Sequence, residues 1–230
     1  MNQHVSTSEA YSAEAADVVQ IWIARSDTPQ LRDATLLLDE DERARHDSHK
    51  LVAHRNDYAA AHALKRMALA LCLPGAKPSA LRFGRHSSGK PYLLDAPLYF
   101  NLSHSRGLVA VAVSLHGEVG MDIEVHGCEA SAQLIARRTM TAPEQAAIAA
   151  ASNPLQSFYE RWTIKEALVK ATGHGLATDF RTICTEYDLK RVRSDQGYVG
   201  ALNVYWRSAL NHSYAASRFG GYARFIEHVV

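Results

Sequence analysis

Two acidic residues, Asp122 and Glu124, lie two positions apart in the segment Val119–Val125. Apolar residues alternate with them, and alternation of period two predicts a half-buried β-strand. Both carboxylates are therefore expected on one strand face, about 7 Å apart along the backbone. Like charges on one face repel unless a cation or a shared proton compensates them, and Mg²⁺ commonly takes one or two carboxylates together with substrate phosphates. The pair therefore predicts a magnesium site, although an edge strand that shows polar residues to water explains the alternation equally well.

A third acid lies in the segment 158–171, which has the composition of a mostly apolar helix. One narrow polar stripe on this helix, at 100° per residue, consists of Tyr159, Thr163, Glu166 and Lys170. A helix exposed to water is not expected to carry so narrow a stripe, so we expect it to face a cleft. A simple i,i+4 ion pair between Glu166 and Lys170 is the alternative explanation of the spacing. Beside the acidic strand, the stripe favours a site in which three carboxylates hold Mg²⁺ while lysines bind a polyphosphate.

The composition of the 230-residue chain is that of an ordinary globular protein, with 47% hydrophobic and 21% charged residues. A net charge of +1 gives no reason to expect nucleic-acid or membrane binding, and no apolar stretch reaches the ~18 residues that span a bilayer. Residues 1–17 do not have the pattern of a secretory signal. Three widely spaced cysteines, Cys72, Cys128 and Cys184, argue against a disulfide framework or a zinc cluster. We therefore expect a cytoplasmic protein.

The elements that must position the acids follow the same order in both halves of the chain. Strand, capping-box and helix patterns in the first half fall at 18–24, 39–42 and 50–73. In the second half, a capping box falls at 141–144, and a helix at 155–172 ends at Gly173. Residues 108–115 predict a buried strand, and the turn at 116–118 predicts that this strand forms a hairpin with the acidic strand.

These patterns predict an α+β fold made of two similar α+β halves, each with antiparallel strands and a long helix. We expect the halves to cover residues 1–115 and 116–230 and to pack as a pseudo-two-fold pair. The active site is then expected in the cleft between them, where the acidic strand meets the helix that carries Glu166.

Four short blocks occur in one order along the chain. The blocks are Gly89-Lys90-Pro91-Tyr92-Leu93, Phe100-Asn101-Leu102-Ser103-His104-Ser105, Val119-Gly120-Met121-Asp122-Ile123-Glu124 and Phe158-x₃-Trp162-x₂-Lys165-Glu166-Ala167-x₂-Lys170-x₂-Gly173-x-Gly175-Leu176. Together they resemble the surfactin-synthetase-activating (Sfp) type of 4′-phosphopantetheinyl transferase, in its pseudo-dimeric form. One block alone is a weak signal, but four blocks in order with matching spacing are specific.

The resemblance implies an enzyme of the holo-[acyl-carrier-protein] synthase type. Coenzyme A is the implied donor, and a serine of an apo acyl or peptidyl carrier protein is the implied acceptor. The 4′-phosphopantetheine arm moves to that serine, and adenosine 3′,5′-bisphosphate is released. Mg²⁺ or Mn²⁺ is the implied metal, and a monomer is the implied form. Fatty-acid, polyketide and nonribosomal peptide synthesis all use such carriers, so the resemblance does not select one pathway.

The resemblance also implies roles for single residues. The implied metal ligands are Asp122, Glu124 and Glu166. The implied catalytic residues are Glu166, Lys170 and Asp122. The implied coenzyme A contacts are Arg55, Arg85, Lys90, Pro91, Ser103, His104, Asp122, Lys165 and Lys170. Glu166 is the candidate general base for the carrier serine, Lys170 neutralises the diphosphate, and His104 is expected near the 3′-phosphate. Arg55 is the expected phosphate contact of the first long helix, with Lys50 as the alternative, and Trp162 is expected to line the cleft.

Two other functions use the same three acids. A Mg²⁺-dependent phosphohydrolase or nucleotidyl enzyme would turn over without a carrier protein, but the sequence shows no dedicated water-activating dyad. A non-catalytic carrier-protein-binding module would be expected to lack Asp122, Glu166 or Lys170, and all three are present. The transferase is therefore the leading hypothesis, with these two as alternatives.

Overall fold

The computed structural model describes residues 18–94, 96–115, 117–173, 175, 178–185, 191–194, 197–207, 212–218 and 224–229. Helices in this part are α1 (Glu40–Ser48), α2 (Val52–Leu71), α3 (Glu129–Thr139), α4 (Ala142–Ala150) and α5 (Pro154–Thr172). Strands are β1 (Val18–Arg25), β2 (Phe83–Arg85), β3 (Pro91–Leu93), β4 (Tyr99–Ser105), β5 (Leu108–Ser114), β6 (Val119–Val125), β7 (Cys184–Thr185), β8 (Arg191–Ser194), β9 (Gly197–Arg207), β10 (His212–Arg218) and β11 (Arg224–Val229). The predicted α+β class is confirmed. Two positions of the fourth motif block, His174 and Leu176, lie outside the described residues, as do residues 1–17.

Two main sheets carry most of these strands. The first has the order β11-β1-β5-β4, and the second has the order β6-β10-β9-β8-β7, while β2 and β3 form a separate ribbon. Neighbouring strands are antiparallel except for β1 and β11, which are parallel. The last described strand thus returns to the sheet that begins the chain, so the two sheets do not divide cleanly at residue 115.

The predicted hairpin between residues 108–115 and the acidic strand is wrong. Both edges of β5 are already paired, with β1 on one side and β4 on the other, whereas β6 pairs with β10 in the second sheet. The turn after β5 therefore carries the chain from one sheet to the other. The hairpin on this side joins β4 to β5 through Arg106 and Gly107, whose φ angles of 46° and 81° suit a two-residue type I′ turn.

The helix boundaries follow the local signals. Asp39 and Glu42 form a reciprocal capping box at the start of α1, and Thr141 and Glu144 form one at the start of α4. Helix α5 begins after the N-cap Asn153 and ends at Gly173, which has a left-handed φ of 72°. None of the described helices combines the length and apolar content that crossing a bilayer would require.

The core is built on both faces of the first sheet. Helix α2 covers one face, where its alanines and Leu64 pack with Val109, Val111 and Phe100. The other face, which includes Val19 and Ile21, packs against the apolar side chains of β6. Burying this apolar side of β6 against the first sheet leaves its acidic face directed away from that contact.

Candidate active site

The acidic face of β6 meets α5 at Gly120. A Cβ atom on Gly120 would lie 1.9 Å from the carbonyl oxygen of Ala167 and 2.3 Å from the backbone nitrogen of Ala171. Only a hydrogen atom fits there, so glycine allows the strand and the helix to approach backbone to backbone. Because side chains alternate along a strand, Asp122 and Glu124 extend from the same face as Gly120 and are therefore directed toward α5.

Asp122 is the most enclosed of the three acids, with 3% of its surface exposed. Its Oδ1 atom accepts hydrogen bonds from Lys170 Nζ at 2.6 Å and from Ser103 Oγ at 2.9 Å. Its Oδ2 atom is buried and has no hydrogen-bond partner among the described residues. An unpartnered buried carboxylate oxygen is costly, so a ligand that reached Oδ2 would satisfy it.

Glu124 is held from two sides. Its Oε2 atom accepts a 2.7 Å hydrogen bond from Ser105 Oγ, and its Oε1 atom accepts one of 3.4 Å from the indole nitrogen of Trp162. Burial raises the pKa of Glu124, and the negative charge of Asp122 raises it further, while the two hydrogen bonds act in the opposite direction. The side chain is therefore oriented by the protein before any ligand binds.

Glu166 on α5 completes the acidic cluster. Burial and the charges of Asp122 and Glu124 raise the pKa of Glu166 to about 7, although Lys170 acts against this. Glu166 therefore lies within electrostatic reach of Asp122, Glu124 and Lys170, and Lys170 is hydrogen-bonded to Asp122 directly. A carboxylate with a pKa in this range is suited to taking up a proton near neutral pH.

A polar stripe on β4 connects the two sheets at the site. In place of a backbone ladder, side chains of β4 accept hydrogen bonds from alternate backbone amides of β6. The pairs are Asn101 Oδ1 with Met121 at 2.9 Å, Ser103 Oγ with Ile123 at 3.2 Å, and Ser105 Oγ with Val125 at 3.2 Å. Since each serine oxygen accepts from the backbone, its own proton is free to be donated to a carboxylate, as Ser103 and Ser105 do.

His104 extends from the opposite face of β4 and is exposed. Partial desolvation lowers the pKa of His104, Asp57 raises it again, and Lys170, His49 and His54 lower it. His104 therefore lies within electrostatic reach of both Lys170 and the first helices. None of His49, His54 and Asp57 was among the site residues predicted from the sequence.

Lys165 was expected to line the cleft, and the structure corrects this. Its side chain is fully buried, and Nζ donates to Glu144 Oε2 at 2.7 Å, to the Phe180 carbonyl at 2.9 Å and to the Thr139 carbonyl at 3.0 Å. Neighbouring residues on a helix are 100° apart, so Lys165 and Glu166 leave α5 in different directions. We therefore exclude Lys165 from the coenzyme A contacts.

Lys90 is also engaged within the protein. Its Nζ atom donates to Glu118 Oε2, to the Ala171 carbonyl at 2.9 Å and to the Val119 carbonyl at 3.2 Å. These contacts fasten the β2–β3 turn to the start of β6 and the end of α5. Lys90 therefore holds the turn in place, and its amine is not available for the nucleotide in this arrangement.

The remaining predicted contacts lie on the N-terminal side of the site. Arg55 is in the first turn of α2, and its Nη1 atom donates to the His49 carbonyl at 2.8 Å. Arg85 ends β2, is exposed, and donates to the Gly89 carbonyl at 3.0 Å, while Pro91 begins β3. None of these contacts joins the three residues to the acidic cluster.

The sequence did not predict the hydrogen bonds from β6 to Asn101 and Ser105, nor the close contact of Gly120 with α5. Asn101 and Ser105 lie on the same face of β4 as Ser103, and period two could have placed them there. Gly120 precedes the acids by two and four positions, so the same period places it on their face, but its contact with α5 requires tertiary structure. Thr163 of the predicted polar stripe is fully buried and donates to the Tyr159 carbonyl.

The donor set fits a divalent cation, although it is not yet assembled as a ligand set. Among the described residues, no three His, Cys, Asp or Glu side chains already form a metal-holding group. Lys170 neutralises Asp122 in this arrangement. Mg²⁺ and Mn²⁺ prefer hard carboxylate oxygens as ligands. A bound cation would compensate the charges that raise the pKa values of Glu124 and Glu166, and it would give the unpartnered Oδ2 atom of Asp122 a partner.

The amino-acid sequence matches one known protein family and several of its members. The model of the 4′-phosphopantetheinyl transferase superfamily matches residues 118–219, which include β6 and α5. The 4′-phosphopantetheinyl transferase HetI of Nostoc sp. is 33% identical over 170 residues, covering 70% of this chain and 71% of the relative. The 4′-phosphopantetheinyl transferase of Bacillus subtilis is 32% identical over 147 residues, covering 63% of each chain. The 4′-phosphopantetheinyl transferase AcpT of Escherichia coli is 41% identical over 88 residues, covering 37% of this chain and 45% of the relative.

Proposed function

Because the chain belongs to the 4′-phosphopantetheinyl transferase superfamily and is an enzyme of that class, we propose that it modifies an apo acyl or peptidyl carrier protein. The donor is coenzyme A, and the transferred group is its 4′-phosphopantetheine arm. The observation that carries this proposal is the contact of Lys170 Nζ with Asp122 Oδ1 at 2.6 Å, with Glu166 on the same helix within electrostatic reach of that carboxylate. Glu166 can accept a proton, and the ammonium group of Lys170 can bind a phosphate.

The proposed chemistry is an in-line phosphoryl transfer. The carrier serine oxygen forms a bond to the phosphorus that bears the pantetheine, and the bond from that phosphorus to the bridging oxygen breaks. Glu166 takes the serine proton, and adenosine 3′,5′-bisphosphate leaves with the electron pair of the broken bond. Such a reaction depends mainly on positioning and charge neutralisation. Lys170 would leave Asp122 for the diphosphate, because an ammonium group can follow the negative charge that develops there.

The metal of this reaction would be held by Asp122, Glu124 and Glu166. When bound, Mg²⁺ or Mn²⁺ would neutralise charge on the diphosphate. The protein itself orients the ligands, since Ser103 fixes Asp122 while Ser105 and Trp162 fix Glu124. Hydrogen bonds of this kind set the direction and basicity of metal-binding side chains.

Coenzyme A would extend from this cluster toward the N-terminal half of the chain. The residues that we propose as its contacts are Arg55, Arg85, Pro91, Ser103, His104, Asp122 and Lys170. His104 is the candidate for the 3′-phosphate, because it is exposed and within electrostatic reach of His49 and His54. Clustered cationic or cation-capable groups are suited to binding a phosphate.

A repeated buried pair supports two related halves, 1–115 and 116–230. In each half, the glutamate of a capping box pairs with a buried lysine of the following long helix: Glu42 with Lys65, and Glu144 with Lys165. A 3₁₀ helix and a strand follow in both cases. We propose that the halves form the pseudo-dimeric, Sfp-type arrangement within one monomer. A cytoplasmic location is part of the proposal, since three widely spaced cysteines do not suggest a disulfide framework.

Intact-mass measurement on a panel of purified apo carrier proteins tests this function. With coenzyme A and Mg²⁺, the mass of at least one carrier should rise by about 340 Da, the mass of the added arm. Loss of coenzyme A without a carrier would instead indicate a phosphohydrolase or nucleotidyl enzyme. Carrier binding without a mass change would indicate a non-catalytic binding module. Either outcome across the panel would contradict the transferase proposal.

A further inference from the structure

Lys165 is the centre of a buried cluster that the proposed chemistry does not use. Its ammonium group is bound by acceptors from three segments: Glu144 in the first turn of α4, the carbonyl of Thr139 at the end of α3, and the carbonyl of Phe180 in the 3₁₀ helix Phe180–Thr182. An ammonium group has three donors, so each one has an acceptor. A buried charge is tolerated only with this degree of compensation. The cluster therefore fixes α5 relative to three neighbouring segments.

Two of the proposed metal-binding carboxylates, Glu166 and Glu124, are connected to this cluster. Glu166 follows Lys165 directly on α5, so fixing one residue fixes the backbone from which the other extends. The ring of Phe180 stacks on Trp162 with centroids 5.3 Å apart and an interplanar angle of 24°. The indole nitrogen of Trp162 in turn donates to Glu124. Lys165 is thus connected to Glu166 through the backbone and to Glu124 through two aromatic rings.

The first half of the chain contains the same buried pair without an acid beside it. Lys65 is 1% exposed and pairs with Glu42 of the first capping box. The residue after it is Arg66, which is fully buried and donates to Glu42 and to the carbonyl of Leu81. The pair of Lys65 and Glu42 is therefore not adjacent to a proposed catalytic residue, whereas the pair of Lys165 and Glu144 lies beside Glu166. Lys65 is consequently a matched control for Lys165.

We propose that Lys165 is a positioning residue that holds Glu166 and Glu124 in register for transfer to the carrier serine. This inference rests on the proposed function. Lys165 does not contact the reacting atoms, so it acts on the geometry of the acids and not on the binding of coenzyme A. Small displacements of catalytic groups are sufficient to reduce turnover strongly.

The test compares wild type with Lys165→Met, Lys165→Arg and Lys65→Met. Steady-state kinetics with coenzyme A, Mg²⁺ and an apo carrier give kcat and KM, and circular dichroism confirms folding at the assay temperature. Lys165→Met should lower kcat up to about 100-fold while KM for coenzyme A changes less than about threefold. Lys165→Arg should recover part of kcat because it keeps the charge, and Lys65→Met should leave kcat within about twofold of wild type.

A second measurement does not depend on turnover. The indole N–H resonance of Trp162, assigned with Trp162→Phe, should shift in Lys165→Met and remain in place in Lys65→Met. Where Lys165→Met does not fold, Glu144→Gln replaces it and should show the same loss of kcat and the same shift.

Three outcomes overturn the inference: a folded variant with wild-type kcat, an effect confined to KM, or equal losses in Lys65→Met and Lys165→Met. Inactive wild type contradicts the proposed function instead, and the Trp162 resonance still decides whether Lys165 positions the ring.

Discussion

Gly120 approaches Ala167 so closely that a Cβ atom on Gly120 would lie 1.9 Å from the Ala167 carbonyl oxygen. This contact sets the separation between β6 and α5, and therefore the separation between Asp122 on the strand and Glu166 on the helix. The obstacle is backbone on both sides, so no side-chain rotation can relieve a clash there. The dimensions of the candidate site consequently depend on a residue that has no functional group.

Gly120→Ala should force α5 away from β6. We expect it to cost about 1–3 kcal/mol of stability, as overpacking commonly does. Turnover should fall about 100-fold in the fraction that remains folded, because the helix acids move relative to the strand acids. Chemical denaturation and carrier-modification rates measure the two effects.

Gly84→Ala is the control for Gly120→Ala. Its added Cβ would meet the side chain of Tyr92, which can rotate, and not a helix backbone. A stability loss without a loss of turnover is expected for this variant. Equal turnover in wild type and Gly120→Ala would show that the close approach does not set the site.

Ser105→Ala should weaken metal-dependent activity without removing a metal ligand. Ser105 donates to Glu124 and accepts from the amide of Val125, so its loss frees the carboxylate to rotate. The Mg²⁺ concentration that gives half-maximal rate should rise about tenfold, as is common when a residue that supports a ligand is removed. Ser105→Thr keeps the hydroxyl group and should remain near wild type. A rise of equal size in both variants would argue against the role of this hydrogen bond.

His104→Ala tests the direction in which coenzyme A lies. If His104 binds the 3′-phosphate, its loss should raise KM for coenzyme A about tenfold, since a hydrogen bond to a charged group is worth roughly that much. KM for 3′-dephospho-coenzyme A should change little, because that compound lacks the group. Equal changes for the two donors would remove His104 from the 3′-phosphate site.

We expect protonation of the largely buried His62 to lower the free energy of unfolding in acid. Burial lowers the pKa of His62 to about 4, and Lys65 adds to this, while the hydrogen bond to Glu42 opposes it. In the unfolded chain the pKa is about 6.5, so between these values the unfolded state binds more protons, and stability falls as the pH falls. From pH 7 to pH 5, wild type should lose about 2 kcal/mol more than His62→Gln.

Urea unfolding at the two pH values measures this difference. His54→Gln is the control, because His54 is an exposed histidine on the same helix. It should keep the pH dependence of wild type. An identical pH dependence of wild type and His62→Gln would mean that His62 does not titrate in this window.

Local patterns were sufficient for much of this structure. The capping boxes at Asp39 and Thr141 and the glycine stop at Gly173 depend on residues within one turn of a helix, so the sequence predicts them directly. The strand that carries Asp122 and Glu124 was predicted for a similar reason, since alternation is a local property.

Contacts between distant segments were not accessible from the same patterns. Strands β5 and β6 are adjacent in the chain, but β5 pairs with β1 and β4 on its two edges. No local sequence pattern indicates that these strands, and not β6, pair with β5. The return of β11 to β1 joins residues about 200 positions apart, by the numbering of the strands.

The direction of Lys165 was not predictable because α5 is apolar around much of its circumference. A helix of this kind gives a weak periodic signal, so a lysine can face either a cleft or the interior. The direction of the Lys165 side chain depends on Glu144, which belongs to another helix and contacts Lys165 only in the folded chain. Burial of a charge depends on such partners and not on its neighbours in sequence.

The most direct test of the proposed site compares wild type with Asp122→Asn on one apo carrier that wild type modifies. The substitution keeps the shape of the side chain and removes the negative charge that Lys170 and a divalent cation would share. With coenzyme A and Mg²⁺, intact-mass spectra should show the carrier gaining one 4′-phosphopantetheine arm with wild type. Asp122→Asn, folded by circular dichroism, should be slower by at least about 100-fold. Modification of the carrier by Asp122→Asn at the wild-type rate would contradict the proposed active site.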